Sequence, residues 1–438
     1  MRRSSRSLLT LVLLLIAALV TGPAFAQALN VQIVGGIKSA TPIAVVPFAQ
    51  QGAPLPTDIA DVIRNDLNRC GKFRSLAVSE IVEQPSQGSD IKFATWRLLK
   101  QDYIVIGRIK DAGNGMVTVE YELWDVNRQQ RLLGEAMSPA ATSDLRSVAH
   151  QIADKIFQQI TGIPGAFWTR IAYVTMVGTG NNANYSLIVA DSDGYNPQVV
   201  ARSHEALLSP KWSPDGSRIA YVSFESGDSA IYIQNISTGA RQLISARKGI
   251  NGAPAWSPDG SKLAVALSYT GNPEIYVMDL GSRQETRLTR SLAINTEPVW
   301  APDGQSIYFT SDRSGRPQIY RVSASGGTPE RVSFQGQQNL NAAVSYDGKQ
   351  IAMVQANGNV YRIAIMDQSL GGQVRFISPG PIDESPSFAP NASMLIYAAT
   401  DGSRDVLYAV SNDGMVRQRL ALADGDVRSP AWGPYRKQ

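Results

Sequence analysis

The feature that most constrains this chain is a strand–turn–strand unit that returns at a fixed interval. "SPKWSPDGSRIAYVS" at 209–223, "NGAPAWSPDGSKLAVAL" at 251–267 and "EPVWAPDGQSIYFTS" at 297–311 place Trp212, Trp256 and Trp300 44 residues apart. The register continues through Val344 in "AAVSYDG", Phe388 in "PSFAPN" and Trp432 in "PAWGP". Each turn is followed by a second apolar run ("IAYVS", "LAVAL", "IYFTS", "IAMVQ", "LIYAA"), then a third such as "EIYVMDLGS" and a short fourth such as "TRLTR". Four short strands in such a period predict a four-stranded propeller blade. In Ser-Pro-Asp-Gly the serine opens a type I turn, proline pre-sets φ, and glycine closes it. The tryptophans are expected on the inner strands, packed between blades as core rather than as ligand contacts.

The two ends of the repeat region complete each other. "WTRIAYVT" at 168–175 begins a unit lacking its inner strand, and "RSPAWGP" near the C-terminus is an inner strand with nothing after it. Joined, they make a sixth blade, and closure removes the exposed sheet edges. Residues 164–438 therefore read as an all-β six-bladed propeller closed by the C-terminal strand, starting at the "TGIPGA" break.

The preceding sequence divides in two. Arg2, Arg3 and Arg6, the apolar run Leu8 to Val20, and Ala24-Phe25-Ala26 read as a signal peptide over 1–26, too short to span a bilayer. Residues 27–163 alternate strand and helix signals and predict a small α/β domain. "PIAVVPF" reads as a buried strand, followed by a helix capped by Thr57 with Ile59, Val62, Ile63, Leu67 and Cys70 inside. Asn114-Gly115 marks a hairpin, and "SDLRSVAHQIADKIFQQITG" an amphipathic helix stopped by Gly162. The start of the mature chain, "QALNVQIVGG", has no mate visible in sequence and reads as an edge strand or a free tail.

Composition excludes several functions. The net charge of +4 comes from 41 basic and 37 acidic residues, and the leader's three arginines supply most of it. A near-neutral mature chain has no footprint for nucleic acid. No second apolar segment is long enough to cross a membrane, and the single cysteine, Cys70, reads as a small buried residue. With only His150 and His204, a histidine-rich metal site is impossible and a Ser-His-Asp triad hard to assemble. His150 falls off the apolar stripe of its helix and is expected exposed. "DSDG" at 191–194 has the look of a calcium loop but lacks the downstream glutamate, and "GNG" and "GTG" read as turns. No catalytic residue, metal or cofactor is expected.

The loops entering each inner strand converge on the mouth of a propeller tunnel. They carry His204, Glu205, Asn251, Asn295, Thr296, Glu297, Asn339, Asp383, Glu384, Ser385, Asp426 and Arg428, a polar, partly acidic ring suited to a peptide or protein ligand or a bound cation.

Together, the leader, the α/β domain and the motifs "WSPDGSKLA", "NTEPVWAPDG", "FTSDRSGRPQIYRV" and "DESPSFAPN" resemble the TolB family of periplasmic propeller proteins of the Tol–Pal system. The fourth unit departs from it with "VSYDG", and the first contact loop with "SHEALL". The chain is expected to be a monomer, and the resemblance implies a non-enzymatic periplasmic adaptor. It implies that the lipoprotein Pal binds the propeller face through the ring residues, with other outer-membrane proteins as further partners. TolA would bind the mature N-terminal segment Leu29, Asn30, Val31, Gln32, Ile33 and Val34. The implied role is outer-membrane constriction in division and envelope integrity. Two alternatives remain open: a propeller hydrolase or lyase using tunnel carboxylates such as Glu297 and Asp383, and a module binding cell-wall glycan.

Overall fold

The two Ser-Pro-Asp-Gly turns, and the Ser-Tyr-Asp-Gly turn of the fourth unit, each close through their serine. The Ser213 hydroxyl accepts from the Arg218 amide at 2.9 Å, Ser257 from Lys262 at 2.9 Å, and Ser345 from Gln350 at 2.9 Å. The glycine takes the left-handed conformation that a side chain would strain, with φ of 69° at Gly216 and 71° at Gly260. The computed structural model describes residues 31–33, 40–50, 54–420, 422 and 425–437. The leader lies outside these residues, as do Leu29, Asn30 and Val34.

The propeller has six blades, each a four-stranded antiparallel sheet running from the tunnel outward. Blades 1 to 5 start with the inner strands Leu207–Trp212, Asn251–Trp256, Asn295–Trp300, Gln338–Val344 and Asp383–Phe388. Blade 6 joins the C-terminal strand Asp426–Trp432 to Arg170–Val177, Asn184–Asp191 and Gln198–Ser203, so the ring closes as the repeat predicts. The indoles tie successive blades together. Nε1 of Trp212 donates to the Ala431 carbonyl at 3.0 Å, Trp256 to Lys211 at 3.0 Å, and Trp300 to Ala255 at 3.1 Å. These tryptophans are buried, as core residues should be.

Every inner strand also carries one bulge that the repeat does not announce. Ser209, Ala253, Glu297, Asn341, Ser385 and Ser429 all have φ between 49° and 55°. At each, the register to the second strand breaks. These six non-glycine residues, held in this region by the surrounding ladder, all line the tunnel cavity.

The α/β domain is a mixed sheet in the order Phe73–Ser75, Thr41–Val45, Tyr103–Gly113, Met116–Asp125, Gln130–Ala136. Helices Ile59–Arg69 and Leu145–Thr161 pack together on one face. The first is capped by Asp58, not Thr57: the Asp58 carboxylate accepts from the Asp61 amide at 3.1 Å. Cys70 ends it, buried, with its thiol pushed up to about 12 by burial. The apolar face of this pair continues without a break into blades 5 and 6, through Ile171, Tyr173, Met394 and Leu407. The two domains thus share one core.

The N-terminal segment has a mate after all. Val31–Ile33 pairs antiparallel with Val416–Gln418 and adds a fifth strand to blade 5. The mate escapes sequence reading because it is nearly 400 residues away and is the outer strand of a repeat whose siblings, among the described residues, carry no fifth strand.

Candidate functional site

The α/β domain contacts the propeller at one end of its strands. Asp191 pairs with Arg170, next to the Ile171–Trp432 pair, so the 191–194 turn sits at the Ser-Pro-Asp-Gly end. Asn391, in the corresponding turn of blade 5, donates to the Pro164 carbonyl at 2.9 Å. The mouth where the inner strands begin therefore faces away from the α/β domain. From the bulges to the other mouth runs a cavity of about 570 Å³, walled by Trp212, Trp256, Trp300, Trp432 and the strand prolines.

The ring read from the sequence separates into two groups. Asn251, Asn295, Asn339 and Asp383 are almost fully buried and hold their own loops. Asn251 accepts from Ser245 Oγ at 2.6 Å and the Arg247 amide at 2.9 Å. Asn295 donates to the fully buried Glu274 at 2.8 Å, and Asn339 to Gln318 at 2.8 Å. Asp383 accepts from Ser378 Oγ at 2.5 Å and the Gly380 amide at 2.7 Å, and burial pushes its carboxyl up. The expectation that these four face a ligand is therefore corrected. A buried polar side chain needs partners, and each of these four satisfies the loop that bends into its inner strand.

The second group stays accessible. His204, Glu205, Glu384 and Arg428 are exposed, and Thr296, Glu297, Ser385 and Asp426 are half-buried. Partial desolvation inside the ring raises the Glu384 carboxyl, with Arg428 pulling the other way. Arg428 also pairs with Asp405, whose amide donates to Asp426 at 3.0 Å. Glu297 is a blade-to-blade staple as well as a mouth residue: it accepts from Thr310 Oγ1 at 2.7 Å and from the Asn341 amide at 2.8 Å. Glu297 and Asp383, the carboxylates a tunnel hydrolase would use, are thus both occupied in holding backbone. Burial lowers the Lys211 ammonium on the tunnel wall, opposed by Glu297.

Sequence reasoning missed the apolar part of this rim. Ile250, Ile294 and Ile382 each precede a buried Asn or Asp latch and are 50%, 51% and 49% exposed. Leu292 is 96% exposed and Phe334 is 72% exposed. The signal lies in the sequence, since 250, 294 and 382 fall in the 44-residue register, but spacing alone does not tell an exposed loop isoleucine from a buried one. Three half-exposed isoleucines stand around one mouth among polar groups, the mixed composition of a protein contact.

A second cluster lies between the domains, and it overturns the expectation that His150 is exposed. His150 is 1% exposed, with Nδ1 2.6 Å from Asp66 and Nε2 3.4 Å from Asp193. Asp193 belongs to the "DSDG" turn, so that loop is an interface element. Arg69 donates to the Ser192 carbonyl at 3.0 Å and to Ser192 Oγ at 2.7 Å, and Arg146 pairs with Asp193. Asp66, His150 and Asp193 are residue types that bind metals. Their geometry does not suit one ion: the two ring nitrogens address different carboxylates, and two guanidiniums already neutralise them. Sequence reading failed here because it assumed one buried stripe on a helix that is covered on two sides.

No helix among the described residues is long and apolar enough to cross a membrane. The family description of the TolB β-propeller domain matches residues 157–436, and that of the TolB amino-terminal domain residues 29–132. The chain is 65% identical over 431 residues to the Tol-Pal system protein TolB of Xanthomonas oryzae pv. oryzae, covering 98% of this chain and 97% of the relative. Against the protein of the same description from Xanthomonas euvesicatoria pv. vesicatoria, identity is 66% over 413 residues, covering 94% of each. The crystal structure of TolB from Acinetobacter baumannii superposes with a TM-score of 0.85 at 41% identity, covering 93% of this chain and 100% of that one.

Proposed function

The chain belongs to the TolB family of the Tol–Pal envelope system, and on that premise we propose that it is a periplasmic adaptor joining Pal to TolA. As a family member it is a non-enzymatic component of that system. Pal docks over the free rim, and the mature N-terminal segment around Val31–Ile33 serves TolA, in support of outer-membrane constriction and envelope integrity. The observation that carries the rim assignment is the set of exposed isoleucines around an accessible, partly charged mouth turned away from the α/β domain. The leader at 1–26 supports export to the periplasm. A strand that already adds to the edge of a sheet has the chemistry to add to a partner's edge instead.

Calorimetry with purified Pal and TolA tests both halves. The mature protein is expected to bind each, and a variant beginning at Lys38 to keep Pal and lose TolA. Failure to bind Pal at all would remove the rim assignment, and unchanged TolA binding by the shortened variant would remove the second.

A further inference from the structure

We propose that the interface between the α/β domain and the propeller is a proton-operated latch, in which His150 carries the proton that joins Asp66 of one domain to Asp193 of the other. The inference rests on the buried charges that face the two ring nitrogens and does not depend on which partner occupies the rim. A neutral imidazole has one N–H and one lone pair, whereas an imidazolium donates from both nitrogens. His150 Nδ1 hydrogen-bonds Asp66 at 2.6 Å, and Nε2 lies 3.4 Å from Asp193 in an ion-pair contact without hydrogen-bond geometry, both carboxylates buried. Only the protonated ring presents an N–H and a positive charge toward both. Once the proton leaves, one of the two buried carboxylates faces a lone pair.

The charged groups around the ring come from three elements. Asp66 and Arg69 lie on the Ile59–Arg69 helix, Arg146 and Asp154 on His150's own helix, and Asp191 and Asp193 on blade 6. Arg69 and Arg146 keep their hold on Ser192 and Asp193 whether or not the ring is charged. Loss of the proton therefore loosens the latch without abolishing it. Burial opposes the charge on His150, but Asp66 and Asp193 outweigh burial and Arg69 and keep the proton on the ring above the ordinary imidazole range. The latch is closed at low pH and weakens as pH rises through that raised value. Its weakening loosens the turn at 192–194, which then rests on Arg69 and Arg146 and on the apolar core shared by the two domains.

The chain's two histidines make the test direct. Proton NMR of the imidazole Cε1–H resonances in the full mature chain, assigned with His204→Asn, reads the His150 titration in the unaltered site. The midpoint is expected above the ordinary range and is expected to fall in Asp193→Asn. Hydrogen-exchange protection of the 192–194 amides, corrected for intrinsic rate, is expected to drop several-fold as pH passes the midpoint. That dependence should vanish in His150→Gln. A midpoint at or below the ordinary value, or constant protection across it in the wild-type chain, overturns the latch, and both readouts stand even if a variant fails to fold.

Discussion

Asp154 shows how one carboxyl can fasten a linker and make the fold sensitive to pH. It sits on the Leu145–Thr161 helix and accepts from the Phe167 amide at 2.7 Å and the Trp168 amide at 3.1 Å, folding the chain back toward the first propeller strand. Gly165 is a glycine because a Cβ there would lie 2.4 Å from the Asp154 Cα. Burial pushes the Asp154 carboxyl up to about 7, against the pull of those two amides. An acid whose folded value is raised contributes most to stability below its unfolded value, about 3.9, and loses that contribution as pH rises through its folded one. The difference amounts to on the order of 4 kcal/mol across that window. Asp154→Asn keeps an acceptor oxygen and removes the titration. Its unfolding free energy, measured by urea titration from pH 4 to 8, is expected to be flatter than that of the wild type. A wild-type slope retained in full by the variant would assign the titration to another group, with His150 the first to examine because its slope has the same sign.

At the scale of elements, the closing strand of blade 6 decides whether the ring exists. Asp426–Trp432 covers the edge of Arg170–Val177, supplies the Ala431 carbonyl for Trp212, and places Trp432 where its indole donates to Thr169 Oγ1 at 2.8 Å. Removing residues 426–438 should cost more than the roughly 3–5 kcal/mol of a buried tryptophan, since it also bares a strand edge. Calorimetric melting within a degree or two of the full-length protein would mean that the strand does not close the ring. This closure was legible because a 44-residue period with one incomplete unit at each end leaves a single way to complete it. The turns were legible too, because Ser-Pro-Asp-Gly specifies its own backbone. What could not be read was burial of polar residues in loops. Asn251, Asn295, Asn339 and Asp383 look like ligand contacts because nothing local reveals that each loop bends back over its side chain. The bulges were hidden for the opposite reason: Ser, Ala, Glu and Asn share no local sign of a positive φ that the neighbouring strand imposes.

For the whole molecule the two mouths of the tunnel have different tasks, and that division selects the residues that test docking cleanly. One mouth lies on the side where the α/β domain sits over blades 5 and 6, and the other is open, with Ile250, Ile294 and Ile382 around it. Substituting Glu297 would confound two effects, since its carboxylate holds the Asn341 amide of the next blade and Thr310 of its own. A lower melting temperature is therefore expected in Glu297→Ala alongside any loss of Pal affinity, and His204→Ala is expected to have a smaller effect on binding. Leu292 and Ile294 separate the effects, because their exposed side chains contribute little to the core. A contact built on apolar anchors loses about 2 kcal/mol or more when a central one is removed. Leu292→Asp combined with Ile294→Asp is thus expected to weaken Pal at least roughly tenfold, about 1.4 kcal/mol, with the melting temperature unchanged. Binding should depend only modestly on salt if these anchors dominate, and steeply if Glu384 and Arg428 do. Calorimetry at two salt concentrations with the double variant measures both. Undiminished affinity with a steep salt dependence would move the contact onto the charged residues of the same mouth, and undiminished affinity without one would move Pal off this face.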